Sequence, residues 1–170
     1  MNAVVIGAAK PGYAEAITRK LIKNGFKVIG TYDTEFEENA TKLSKEFSSE
    51  KLTLKSLDLS SRNDLKSFVD DIVDPIDAFV FAQFYFDMEN PDDFNHEIWD
   101  KSIAINLTAP NYLIHELKNK MNAGSSIVIL TSTEGFRGSY GASAYAATKA
   151  AIHNLVKTLA NNLGKRGIRI

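Results

Sequence analysis

The amino-acid sequence predicts an α/β protein built on a doubly wound parallel sheet of about six strands, with helices on both faces and the last strand incomplete. Two observations carry this. Short apolar runs alternate with longer amphipathic stretches along the whole chain. The first apolar run also ends in a glycine-bearing turn that opens a helical pattern, the order expected of a βα unit. Right-handed crossovers then place helices on both sides of one sheet.

Taken in order, Ala3–Ile6 reads as a buried strand ended by Gly7. Tyr13 to Asn24 reads as a helix, because Ala14, Ile17, Leu21 and Ile22 recur at helical spacing and Gly25 supplies a stop. Phe26–Tyr32 is a second strand, Glu35–Ser48 a polar, solvent-facing helix, Leu52–Leu57 a third strand and Arg62–Val73 a third helix. Ile76–Ala82 is a continuous apolar strand. Phe94–Met121 holds one long helix in which Pro110 must kink or be tolerated. Ser126–Thr131 is a fifth strand, Ser143–Leu163 the last helix, and Ile168–Ile170 the opening of a sixth strand. No linker, repeat or low-complexity tract divides residues 1–170, which read as a single dinucleotide-binding domain.

Composition narrows the function classes. Twenty basic against 21 acidic residues give a net charge of −1, no electrostatic footprint for nucleic acid or an anionic membrane. The absence of cysteine excludes disulfides, thiolate metal sites and a cysteine nucleophile. His96, His115 and His153 lack metal-ligand spacing, so no metal is expected. No apolar run is long enough to span a bilayer, and no signal segment precedes the first strand. A cytoplasmic protein is the expectation.

The turn after the first strand is Gly7-Ala8-Ala9-Lys10-Pro11-Gly12-Tyr13-Ala14. Glycines let the backbone turn tightly and approach a diphosphate, and the following helix N-terminus offers free N–H groups and a positive dipole end. Gly7, Ala9, Lys10, Gly12 and Tyr13 are the candidate contacts. Asp33 ends the second strand where a dinucleotide fold places a carboxylate for ribose hydroxyls. With Glu35 and Glu37 it makes that strand end acidic, which favours NAD over NADP, whereas Lys10 points the other way.

Tyr145 and Lys149 stand four apart on the last helix, hence on one face. A free tyrosine is a poor base at neutral pH, but an adjacent ammonium favours the phenolate, and the pair can serve as acid and base on an alcohol or carbonyl. Ser132 follows the fifth strand, and Asn106 lies in the helix before it. Strand ends are where such sheets bind ligands.

With these residues in place the chain resembles the short-chain dehydrogenase/reductase family, single-domain Rossmann oxidoreductases, over its whole length. Trp99–Pro110 resembles the family's helix carrying an active-site Asn, Ile127–Ser132 the strand delivering a Ser, and Tyr145-Ala146-Ala147-Thr148-Lys149 its Y-x-x-x-K motif. Leu159–Leu163, Gly167–Ile170 and Asp58-Leu59 also fit. The resemblance implies NAD(P)-dependent hydride transfer to or from a small alcohol or carbonyl substrate. In it Tyr145 is the acid/base, Lys149 lowers its pKa and holds the nicotinamide ribose, and Ser132 orients the substrate carbonyl. Asn106 holds a water behind Lys149, and Asp58 and Leu59 lie by the adenine. Trp99–Lys120 and Ser143–Leu163 resemble the helices that build the family's homodimers and homotetramers.

Three departures stand out. Gly7 and Gly12 are separated by one residue more than in the family, and Ala14 replaces a third glycine. The family's Asn-Asn-Ala-Gly after the fourth strand reads Phe81-Ala82-Gln83-Phe84, leaving Ala82 and Gln83 as the cofactor contacts there. Family members also continue past the position of Ile170, through the sixth strand, a Pro-Gly turn with a Thr, a substrate lid and a seventh strand. The chain therefore reads as truncated at its C-terminus relative to the family, with an unpaired sheet edge and an uncovered apolar face. These departures support an alternative: an inactive member acting as a nucleotide-binding or protein-interaction module. Phe84, Tyr85, Phe86, Phe136 and Tyr140 are candidates for an apolar substrate lining.

Overall fold

A computed structural model describes all residues, Met1–Ile170. Strands β1 (Asn2–Ile6), β2 (Lys27–Tyr32), β3 (Leu52–Ser56), β4 (Ile76–Phe81) and β5 (Met121–Ile129) form one parallel sheet in the order β3-β2-β1-β4-β5. The order reverses between β1 and β4, so a crevice opens beyond the C-terminal ends of those two strands.

Side chains alternate across the sheet. Val4, Ile6, Phe79 and Phe81 enter the larger core, covered by α3 (Arg62–Asp70), α5 (Ala109–Leu117) and α7 (Ser143–Gly164). Ala3, Val5, Val80 and Ala82 enter the smaller core under α1 (Tyr13–Lys23) and α2 (Glu37–Glu46). Both faces are therefore buried, which is why the strands read as continuous apolar runs. The solvent-facing helix expected at 35–48 does bury Ala40 and Leu43, and it begins as a 3₁₀ turn at Thr34–Phe36.

Three elements differ from expectation. The long helix is three pieces: α4 (His96–Ile103), a π turn over Ala104–Thr108, and α5, closed by a 3₁₀ turn at Lys118–Lys120. Pro110 is tolerated within the run: it follows the π turn directly, in the first turn of α5, where the α-helical hydrogen-bond ladder is already shifted. The fifth strand starts at Met121, not Ser126; Met121 pairs with Ile76 before an irregularity that restores register at Ala78–Ser126. The sixth strand is not formed as a strand. Arg169 makes a single bridge to Ser126, with Ile127 N–H donating to Arg169 C=O at 2.8 Å. Val128, on the smaller-core face of β5, is 48% exposed. No helix is long and apolar enough to cross a membrane.

Candidate active site

The phosphate-loop candidate is held from below. Gly7 N–H donates to the buried Thr31 Oγ1 at 3.1 Å, and Lys10 N–H closes a tight turn onto Gly7 C=O at 2.9 Å. Thr18 Oγ1 lies 3.1 Å from Ala8 C=O, and Asn39 Nδ2 donates to Ala9 C=O at 2.8 Å. A Cβ at Gly30 would stand 2.4 Å from Ala8 Cβ, so β2 needs glycine where the loop begins above it. Ala8, Ala9 and Ala14 are fully buried, which leaves backbone rather than side chain to face the crevice. Gly12 has φ 96° and open space where a side chain would be. Helix α1 has no side-chain cap, and the N–H groups of Gly12, Tyr13 and Ala14 make no hydrogen bond within the protein. Such uncapped donors suit an anion.

Across the switch point, Gln83 is buried and lies against Gly7, where a Cβ would come 2.9 Å from Gln83 Oε1. That oxygen has no hydrogen-bond partner. An orphaned buried acceptor beside free backbone donors marks a place built for a polar ligand. A cleft of about 420 Å³ runs here, lined by Lys10, Asp33, Glu35, Gln83, Phe84 and Lys101 among others. Asp33 Oδ1 accepts from Glu35 N–H at 3.3 Å, and the residue is half-buried just past the end of β2. Burial lowers the Lys10 pKa, opposed in part by Glu35 and Asp33.

Asp58 follows β3 and accepts from Ser60 N–H (2.8 Å) and Ser60 Oγ (2.7 Å), bonds that hold its carboxyl below the usual range. Leu59 is placed differently from its neighbour: its side chain is buried in the larger core and does not line the cleft. Ala82 is likewise buried, in the smaller core, its N–H donating to Ile6 C=O.

Helix α7 presents Tyr145 half-buried and Lys149 only 3% exposed. Lys149 Nζ donates to Leu130 C=O at 3.1 Å and stands 5.5 Å from the Tyr145 ring centre. Desolvation, with a smaller contribution from Lys10, lowers the Lys149 pKa to about 8. Ser132 Oγ accepts from Glu134 N–H at 3.2 Å at the start of the short helix α6 (Glu134–Arg137), leaving its own proton free to donate. Gly135 lets this segment lie directly on α7: a Cβ there would be 2.7 Å from Lys149 carbonyl carbon.

The Asn106 side chain is fully engaged within the protein. Its Oδ1 accepts from Tyr85 N–H at 2.8 Å, and its Nδ2 protons go to Tyr85 C=O (2.9 Å) and Thr148 Oγ1 (3.2 Å). The side chain is thus a clamp on the segment after β4, with both amide protons committed inside the protein. The π turn that carries it lies between α4 and α5. Of the aromatic candidates, Phe84 and Phe86 meet the Tyr145 ring at 6.0 and 5.2 Å. Phe136 stacks on His153, and both it and Tyr140 are about 80% exposed, outside the cleft. Thr31, Asn39, Thr148 and Glu89 were not visible as site residues in the sequence, because each acts on a partner brought close only by the fold.

A family model described as "Enoyl-(Acyl carrier protein) reductase" matches residues 7–170. The chain belongs to the short-chain dehydrogenase/reductase family. Human "Dehydrogenase/reductase SDR family member 4" is 39% identical over 80 residues, 46% of this chain and 29% of that protein. Among solved structures, BdcA in complex with NADPH superposes with TM-score 0.88 at 27% identity, over 98% of this chain and 66% of that one. A blue fluorescent protein from a metagenomic library, also with NADPH, gives 0.91 at 27% identity, over 98% of this chain and 70% of that one. This short-chain dehydrogenase/reductase chain thus spans less than a third of the human relative and about two thirds of BdcA.

Proposed function

We propose that this chain forms the cofactor groove and acid/base centre of an NAD(P)-dependent oxidoreductase that moves hydride between nicotinamide and a small alcohol or carbonyl. The observation that carries it is the pairing of Tyr145 with the buried Lys149 Nζ, 5.5 Å from its ring, beside a cleft lined by the loop's Lys10 and by Gln83. The groove's features fit a nicotinamide dinucleotide: free N–H groups at Gly12, Tyr13 and Ala14 for a diphosphate, Asp33 for ribose hydroxyls, and Asp58 near the adenine end. NADP(H) is the preferred form in this reading. It is supported by the two NADPH-bound relatives and by Lys10 in the cleft, against the acidic Asp33 and Glu35.

The bound cofactor supplies or accepts the hydride. Tyr145 O–H gives its proton to the carbonyl oxygen as charge develops there, or takes it from the alcohol in reverse. The ammonium of Lys149 favours the phenolate through space. Ser132 O–H donates to the same oxygen and orients it. Asn106 acts at one remove by fixing Tyr85 and hence the aromatic wall. A homodimer or homotetramer in the cytoplasm completes this reading, supported by the resemblance of its helices.

The test is NADPH oxidation with a panel of aldehydes and ketones. Tyr145→Phe is expected to lower kcat by about 10²–10⁴-fold, the range of a lost general acid, while nucleotide binding persists. Turnover retained in the variant would contradict the assignment. One observation favours a second reading, a nucleotide-binding or interaction module without turnover: the Phe84 ring stands in the groove, 3.8 Å from Lys10 Nζ. Any steady-state turnover by the wild type excludes that reading.

A further inference from the structure

Phe84 belongs to neither hydrophobic core. Its half-buried ring stacks on Tyr13 at 6.5 Å and meets Tyr145 edge-on at 6.0 Å. Tyr13 is the first residue of α1, beside the free amides, and Tyr145 is the acid/base candidate. The ring therefore stands between the anion end of the groove and its reactive end. Lys10 Nζ sits 3.8 Å from the ring centre, and Lys149 Nζ 5.8 Å. Two cations near one aromatic ring hold it in place.

The backbone on either side of Phe84 is fixed. Gln83 is wedged against Gly7, and both peptide groups of Tyr85 are held by Asn106. Further on, Glu89 N–H donates to Gly141 C=O at 2.8 Å, and the Glu89 carboxylate accepts from Ala144 N–H at 2.8 Å. The segment cannot swing as a loop, so the ring can clear the groove only by turning about its own side-chain bonds.

We propose that Phe84 is the residue that sets nicotinamide access: it partitions the groove, leaving the adenine-phosphate half open and holding the nicotinamide half out until its ring rotates away from Tyr13 and Tyr145. This rests on the nucleotide reading given above. An anion arriving at the loop draws Lys10 off the ring and so loosens the partition. The apparent affinity of a ligand that needs the open form falls by the fraction of molecules that are open; a ligand confined to the other half feels none of this.

The experiment compares NADPH with adenosine 2′,5′-bisphosphate, which lacks the nicotinamide, its ribose and the phosphate attached to that ribose, on wild type and on Phe84→Ala. In the wild type the two dissociation constants should agree within about threefold. In Phe84→Ala, NADPH should tighten by about tenfold or more, and adenosine 2′,5′-bisphosphate should not change. Phe84→Leu, which keeps bulk in the groove, should gain much less. NADPH binding that is unchanged or weaker in Phe84→Ala would overturn the partition while leaving the nucleotide reading intact. Equal tightening of both ligands would overturn it too, by showing obstruction of the whole groove. If neither ligand binds either protein, the nucleotide reading itself fails and takes the partition with it. The wild-type comparison needs no variant and stands whatever the fate of Phe84→Ala.

Discussion

At Lys149 two demands conflict. The proposed chemistry requires an ammonium near Tyr145, and the fold buries the Lys149 side chain to 3% exposure with one carbonyl partner. The folded pKa of about 8 lies below the ordinary 10.5. Below pH 8 the group is charged in both states and the folded protein bears the full desolvation cost. Between pH 8 and 10.5 the unfolded chain holds a proton the folded chain has lost, so stability rises with pH. Lys149→Met should therefore be more stable than wild type near pH 7, by up to about 3 kcal/mol. Its rise in stability between pH 8 and 9.5 should also be smaller than that of the wild type, read by urea unfolding at intervals across that range. Lys10 contributes in the same direction in both proteins and cancels in the difference. Equal stability at every pH would show that Lys149 is solvated in solution. The four-residue spacing of Tyr145 and Lys149 was legible in the sequence; the burial of Lys149 was not, because it depends on Leu130 and the Gly135 contact, both supplied by another segment.

Among the elements, α7 carries Tyr145 and Lys149 yet has no cap of its own. Glu89, from the segment between β4 and α4, supplies one across the fold: its carboxylate accepts from Ser143 Oγ and from Ala144 N–H. A carboxylate at a helix N-terminus also meets the favourable end of the dipole. Glu89→Ala should lower unfolding free energy by about 1 kcal/mol, the usual cost of a lost cap, and Glu89→Gln, which keeps an acceptor, by less. Denaturant melts of the two variants check this, and equal losses would point to charge rather than hydrogen bonding. The element pattern itself was largely legible, since a sheet buried on both faces writes its strands as apolar runs. The π turn at Ala104–Thr108 was not, because the pattern of apolar residues runs through it unbroken and the Asn106 bond to Tyr85 that it carries joins residues 21 apart. The start of β5 was not legible either, because Asn122, Ala123 and Gly124 carry no strand pattern, and Met121 pairs only through a register shift.

Across the whole molecule, the strand order puts one crevice at the β1/β4 switch; Lys10 of the loop and Gln83 with its orphaned oxygen line it, and Phe84 on its wall meets Tyr13 and Tyr145. That convergence was legible from topology alone, because a doubly wound sheet has its ligand crevice where the order reverses. Its interior was not: the sequence placed Phe84 among lining aromatics, and only the fold sets its ring between Tyr13 and Tyr145. Cofactor choice turns on the same crevice, where Lys10 and Asp33 argue in opposite senses. The most direct measurement is a titration of this chain with NADPH and, separately, NADH, followed by nicotinamide fluorescence and by the thermal midpoint. The expected result is saturable NADPH binding tighter than that of NADH, with a midpoint that climbs with ligand as mass action requires. No binding of either nucleotide, by the wild type or by Phe84→Ala, would contradict the assignment of this crevice to a nicotinamide cofactor.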